Sequence, residues 1–195
     1  MSGSTPTYGL PYPSLSDAPD GATQMQALAT ATDTALAAEA AARAAAITGL
    51  YTPKYALKTT AKSYSASTSF TNEVDLVLNL DVATAVYEIH GFISYDAPAT
   101  PMFKHTIPVP IGATLRYACT HQNTSGVTYC FPCNGADTVS SYGLGIGNRL
   151  AIEIDGLISM NGNTGVIQMA FANNASGSGG FNIYEGSYLR AVRMK

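Results

Sequence analysis

From Thr23 to Ile47 the chain contains neither proline nor glycine, and alanine dominates it. Alanine is the best intrinsic helix former, so this run admits little other than a helix. Thr23-Gln24-Met25-Gln26 fits a capping box, in which the threonine hydroxyl accepts from the amide of residue 26. Glu39 and Arg43 stand four apart in the favourable orientation. Gly49 and then Pro53 supply a stop signal. About 25 residues in this state make a rod of roughly 37 Å.

The large apolar side chains of the rod are few: Met25, Leu28, Leu36, Ile47 and Leu50. Met25, Leu36 and Ile47 recur every eleven residues, and Leu28 and Leu50 stand two such intervals apart. A heptad fails, because seven after Met25 is Thr32 and seven after Leu36 is Arg43. Eleven-residue spacing implies a nearly straight or slightly right-handed bundle. The stripe is thin, since Glu39 falls where Leu28 would repeat. A helix with so little to bury needs partners. Copies of itself around an axis satisfy that need more simply than docking on its own chain. These five residues are therefore the expected oligomerisation contacts.

Before the helix, residues 1–20 carry Pro6, Pro11, Pro13 and Pro19 together with Gly3 and Gly9. Each proline removes a backbone donor and biases its predecessor to extended geometry. The expectation is an extended arm that anchors the chain by docking Tyr8, Leu10, Tyr12 and Leu15, its large apolar side chains, into a partner.

After Pro53 the pattern changes to period two. Residues 73–81 place Val74, Leu76, Leu78 and Leu80 on one face, and residues 85–95 form a longer alternating run. Further strands are expected at 113–120, 127–131, 150–160, 166–172 and 187–194, separated by turn clusters such as Asn161-Gly162-Asn163. Seven or eight strands without a helical window predict an antiparallel β-sandwich, jelly-roll-like, over 51–195. The chain thus reads as three parts: arm 1–20, oligomerisation helix 21–50 and β head 51–195. The fold class is mainly β.

Composition narrows the function. Charged residues are 12% of the chain, about half of the roughly 25% usual for soluble proteins. So sparse a charge protects poorly against self-association and suits permanent assembly. The ten Lys and Arg residues are scattered, with a net charge of −3, which disfavours nucleic-acid binding. Residues 1–8 lack the basic and apolar regions of a secretory signal. The alanine run holds Glu39 and Arg43 and is too weakly apolar to span a bilayer. No membrane partner is expected, and the chain is expected to be made in a cytoplasm.

Candidate chemistry is thin. Cys119, His121, Cys130 and Cys133 lie within fifteen residues and include the two-residue gap of a zinc knuckle. A second knuckle is missing, and buried cysteines are often plain small hydrophobes. The expectation is no metal and no cofactor. Glu88, His90, Asp96 and His105 are neighbours in sequence, but Glu88 and His90 alternate with core-like residues and read as a solvated strand face. Asp75, Asp81, Glu153 and Asp155 are carboxylates expected on strands, the type that glycoside hydrolysis uses. Gly143-Leu-Gly145-Ile-Gly147-Asn lacks a following helix, and its alternation suits a tight strand or a loop in a sheet rather than a dinucleotide site. No catalytic residue is assigned. Twelve tyrosines and no tryptophan leave room for sugar recognition, with 123–129 and 140–148 the expected loops.

Tyr8-Gly9-Leu10-Pro11-Tyr12-Pro13, then Ser16-Asp17-Ala18-Pro19 and Gln24-Met25-Gln26-Ala27-Leu28-Ala29, resemble a segment near the N-terminus of tailed-phage virion proteins. These are especially the minor tail proteins and fibres of phages that infect actinobacteria. The ending, Ile183-Tyr184-Glu185-Gly186-Ser187-Tyr188-Leu189-Arg190-Ala191-Val192-Arg193, is similar to the last strand of their β heads. The resemblance lies at the two ends of the chain. It implies a homotrimer in the virion, attached by arm and helix to a tail or major capsid protein. The outward jelly-roll head would decorate the capsid or touch a host cell-surface glycan. A carbohydrate-binding module and a small host-envelope hydrolase are the alternatives.

Overall fold

The computed structural model describes residues 3–4, 11–12, 21–99, 103–122, 128–134, 137–176 and 179–194. The chain divides into two units, Met1–Gly49 and Leu50–Lys195.

In the first unit, β1 (Gly3–Ser4) pairs antiparallel with β2 (Pro11–Tyr12). Tyr8, Leu10 and Leu15 lie outside the described residues, as do the side chains of Tyr12 and Leu50. Helix α1 (Gly21–Tyr51) has 31 residues and is longer at both ends than its caps imply. Thr23 is already helical, so it is not the cap residue. Gly49 is also helical; the stop lies at Pro53, which disfavours helical geometry at the residue before it. At 1.5 Å per residue the rod is about 46 Å long. Thr30, Thr32 and Thr34 turn their hydroxyls back onto the carbonyls of Gln26, Leu28 and Thr30, at 2.8–2.9 Å. The Arg43 guanidinium donates to Glu39 at 2.6 Å.

The second unit is built of antiparallel strands. Those longer than six residues are β5 (Thr71–Leu80), β6 (Val86–Asp96), β8 (Thr114–Gln122), β9 (Thr128–Asn134), β11 (Leu150–Ser159) and β12 (Gly165–Asn173). The shorter ones are β3 (Lys54–Leu57), β4 (Lys62–Tyr64), β7 (Phe103–Thr106), β10 (Val139–Ser141), β13 (Phe181–Ile183) and β14 (Tyr188–Arg193). One sheet runs β3-β14-β6-β11-β8-β9, with β13 pairing both β4 and β6; the other runs β10-β7-β12-β5. From β5 to β8 each connection crosses from one sheet to the other, the jelly-roll habit. The fold is a mainly β sandwich. Its core is filled by alternating residues of both sheets, among them Leu76, Leu78, Tyr87, Ile89, Ile154 and Phe171.

Alternation fails in β5. Val74 was expected beside Leu76 on the buried face, yet it is 71% exposed while Glu73 is fully buried. The cause is a register shift: Val77 pairs with Gln168 but Asn72 pairs with Ala170, so β5 carries extra residues against β12. The irregularity turns Glu73 inward, where it meets a buried cation. Lys58 Nζ, 1% exposed, lies 3.1 Å from Glu73 Oε1 and 2.9 Å from Asp75 Oδ2. Tyr64 donates its hydroxyl to Glu73 Oε2, and Lys62 stands 3.8 Å from that oxygen. Burial and the hydrogen bond to Glu73 together push the Tyr64 phenol far above its ordinary range.

Candidate functional site

Three surfaces could carry function, and the first is the helix. No residue from 21 to 49 is buried. Met25 is 73% exposed, Leu36 63%, Ile47 56% and Leu28 43%. Eleven residues advance a helix by three turns and about 20°, so Met25, Leu36 and Ile47 fall on one narrow stripe.

The second surface is the outer face of the large sheet. Antiparallel register places Leu57, Tyr188, Phe92, Glu153 and Thr120 in one row across it. The next row holds Tyr55, Arg190, His90, Asp155 and Ala118. Tyr55 stacks on Tyr188 with ring centroids 5.5 Å apart, and Phe92 lies 6.2 Å from Tyr188 on its other side. Beside this aromatic run, His90 Nδ1 is 2.5 Å from Asp155 Oδ1, and its Nε2 is 3.6 Å from Glu88 Oε1. Sequence reading placed Glu88 and His90 on a solvated strand face, and they are there. It did not find the aromatic run. Residues 55, 92 and 188 are remote in sequence, and only strand order unites them.

The third surface is the loop between β10 and β11. Asp96, fully buried at the end of β6, accepts from Gly147 N at 2.6 Å, Asn182 Nδ2 at 2.8 Å and the Tyr184 hydroxyl at 2.8 Å. Gly145 and Gly147 have φ of 97° and 91°, values that favour glycine. These anchors hold out Leu144 and Ile146, both exposed. The glycine run is therefore a pinned turn leading into β11, not a phosphate loop before a helix. Arg149 lies over the Tyr184 ring, 3.7 Å from its centroid, and donates to Glu185 at 3.3 Å. Accepting the hydroxyl proton, the Asp96 carboxylate raises the Tyr184 pKa.

The residues considered for chemistry are dispersed. His90 faces out from the large sheet, Asp96 is spent on three donors, and His105 is buried in the small sheet with Nδ1 3.3 Å from Ser141 Oγ. That serine and histidine are both fully buried, so no substrate reaches them. Asp81 was expected on a strand but follows the end of β5, where Lys54 holds it at 2.9 Å and lowers its pKa. Asp75 belongs to the other sheet from Glu153 and Asp155, so the four carboxylates are not gathered at one place.

Cys119 and Cys133 are buried thiols on β8 and β9. Cys130 and Cys133 stand three apart on one continuous strand, Thr128–Asn134, and the side chain of Cys130 lies outside the described residues. A zinc knuckle needs a turn at that point. Among the described residues no group of three or more His, Cys, Asp or Glu is placed to hold a metal. Of the loop 123–129 expected to contact sugar, residues 123–127 lie outside the described residues, and Thr128 and Tyr129 belong to β9 rather than to a loop.

No family model and no curated protein matches this sequence. Solved structures do match. The VP2 protein of infectious bursal disease virus aligns with TM-score 0.38 and 12% identity, over 73% of this chain and 32% of that one. The chain thus spans about a third of the virus chain's length. Eiger TNF from S. frugiperda gives 0.35 and 13%, over 74% and 93%. A carbohydrate binding module (CBM6cm-2) of Cellvibrio mixtus lichenase 5A gives 0.29 and 10%, over 75% and 99%. At this level the likenesses say nothing of what the chain does.

Proposed function

We propose that this chain is a non-enzymatic structural protein that assembles with copies of itself through α1 and presents its β unit outward. The observation that carries this reading is a 31-residue helix with no buried residue from 21 to 49 and a stripe of Met25, Leu36 and Ile47 open to water. Most helical stability in proteins comes from packing an apolar face, and among the described residues of its own unit this helix has nothing to pack that face against. Sister helices supply the missing surface. The resemblance at both chain ends supports a tailed-phage virion as the setting and three as the number of copies. There the protein is a minor tail protein, short fibre or capsid decoration held by residues 1–20. Deleting residues 1–20 is expected to leave the β unit's circular dichroism unchanged while the chain no longer joins particles. Normal incorporation of the truncated chain would refute the anchoring role.

A second reading rests on the outer sheet face. The edges of Tyr55, Tyr188 and Phe92 offer apolar surface to the C–H face of a sugar, and Glu153, Asp155 and Arg190 lie alongside to bond hydroxyls. Host-glycan recognition would follow from that pairing of aromatic and polar groups. Tyr55→Ala with Tyr188→Ala is expected to abolish binding on an array of host cell-wall glycans. Equal signal from wild type and variant, or none from either, would remove this reading.

A further inference from the structure

Among the described residues, Lys58 is a lysine whose side chain is all but closed to water, and the two groups at its ammonium are both carboxylates. Nζ lies 2.9 Å from Asp75 Oδ2 and 3.1 Å from Glu73 Oε1. The backbone fixes the lysine: Lys58 N donates to Ser187 O at 2.8 Å, and Gly186 N donates to Lys58 O at 2.9 Å. Glu73 is held from several directions. Its Oε1 accepts from Asp75 N at 3.2 Å, its Oε2 accepts from Tyr64, and its carbonyl accepts from Gln168 Nε2 at 3.1 Å. Over this cluster Tyr64 stacks on Phe181 at 4.8 Å and meets Phe171 edge-on at 5.7 Å, so the medium is apolar.

A buried ion pair is weak evidence for stability, because desolvating the charges offsets their attraction. This pair has another way to shed its charges. An amine and a carboxyl group held in contact have the proximity that replaces a bimolecular encounter. A fixed carboxylate beside the amine supplies a proton acceptor.

We propose that Lys58 and Asp75 join in an intramolecular amide bond, with Glu73 carrying the proton. First, one proton passes from the Lys58 ammonium to Asp75 Oδ2, leaving a neutral amine and a carboxylic acid. The Nζ lone pair then forms a bond to Asp75 Cγ while Glu73 Oε1 takes a second proton from Nζ. Collapse of the tetrahedral centre breaks the Cγ–OH bond, and Glu73 returns its proton to the departing hydroxide as water. The ammonium and carboxylate become one amide and one water, with no change in net charge and no oxidant or co-reactant. The Asp75 side chain is 36% exposed, which gives the water its exit.

The bond has a mechanical consequence. β3 is an edge of the large sheet and β5 an edge of the small one, so the link closes the sandwich along one side. β3 is also the four-residue strand through which the chain enters the β unit from α1. A pull on the N-terminal part would run along β3 to Lys58 and pass there through the amide into β5, which shields the chain between residues 58 and 75 from the load.

The test is mass spectrometry of the purified, folded full-length chain, intact and after trypsin. The expected result is a mass lighter by one water and a branched peptide joining the Lys58 and Asp75 segments. Asp75→Asn is expected to lose ammonia instead of water, and Lys58→Arg to lose neither. Glu73→Gln, with its fold checked by circular dichroism, is expected to keep the full mass. Wild-type protein at full mass after prolonged incubation at neutral pH, with both residues in separate linear peptides, would overturn the proposal. Loss of water from folded Glu73→Gln would overturn the proton-carrying role.

Discussion

At the scale of single residues, the β unit is governed by close approaches that side chains cannot enter. A Cβ on Gly156 would lie 2.6 Å from the Arg116 carbonyl oxygen and 2.6 Å from Tyr117 Cβ. Neither β8 backbone nor a buried tyrosine can retreat. Gly156→Ala is therefore expected to cost about 1–3 kcal/mol in denaturant unfolding of the β unit, the range seen for overpacked cores. Gly91 gives the contrast: its nearest obstacle is Leu189 Cδ2 at 2.9 Å, the end of a side chain, so Gly91→Ala should cost less. Equal losses at the two positions would contradict this account of Gly156. Neither contact could be read from sequence, since each depends on which strand lies opposite. Glu73 illustrates the same limit. Alternation puts it on the face opposite Leu76, and only the register shift between Asn72 and Val77 turns it in.

Among elements, legibility followed length. β5, β6, β8, β11 and β12 each run nine residues or more and could be located from alternation, with ends off by one or two residues. β3, β4, β7, β10 and β13 have three or four residues, too few for a period of two to show. β9 was located but its meaning was not: continuous pairing of Thr128–Asn134 with β8 removes the turn that its two cysteines would need to share an ion. The helix was plain from composition, although its ends were not, because a capping threonine and a terminal glycine were both absorbed into it. Its exposed stripe yields a prediction. Replacing Leu36 and Ile47 together by glutamine, a good helix former, should leave each helix intact and weaken only its association. The oligomer's melting temperature is expected to fall and to become more dependent on protein concentration. An unchanged melting temperature would argue that the helices do not pack on one another.

For the whole molecule, the distribution of apolar surface carries the functional conclusion. The β unit fills its own core from two sheets, whereas α1 leaves its large side chains open to water. A chain with 12% charged residues has little charge repulsion to keep such surfaces apart. The proposed virion setting rests on resemblance alone, since no composition or spacing specifies a partner. The sheet-face aromatics and the Lys58 cluster came from topology alone. Assembly is the claim on which the rest stands, and static light scattering of the full-length protein after size-exclusion chromatography tests it most directly. At micromolar concentration a mass of three times the 20.3 kDa chain is expected. A mass of 20.3 kDa, unchanged as concentration rises, would contradict self-assembly through the helix.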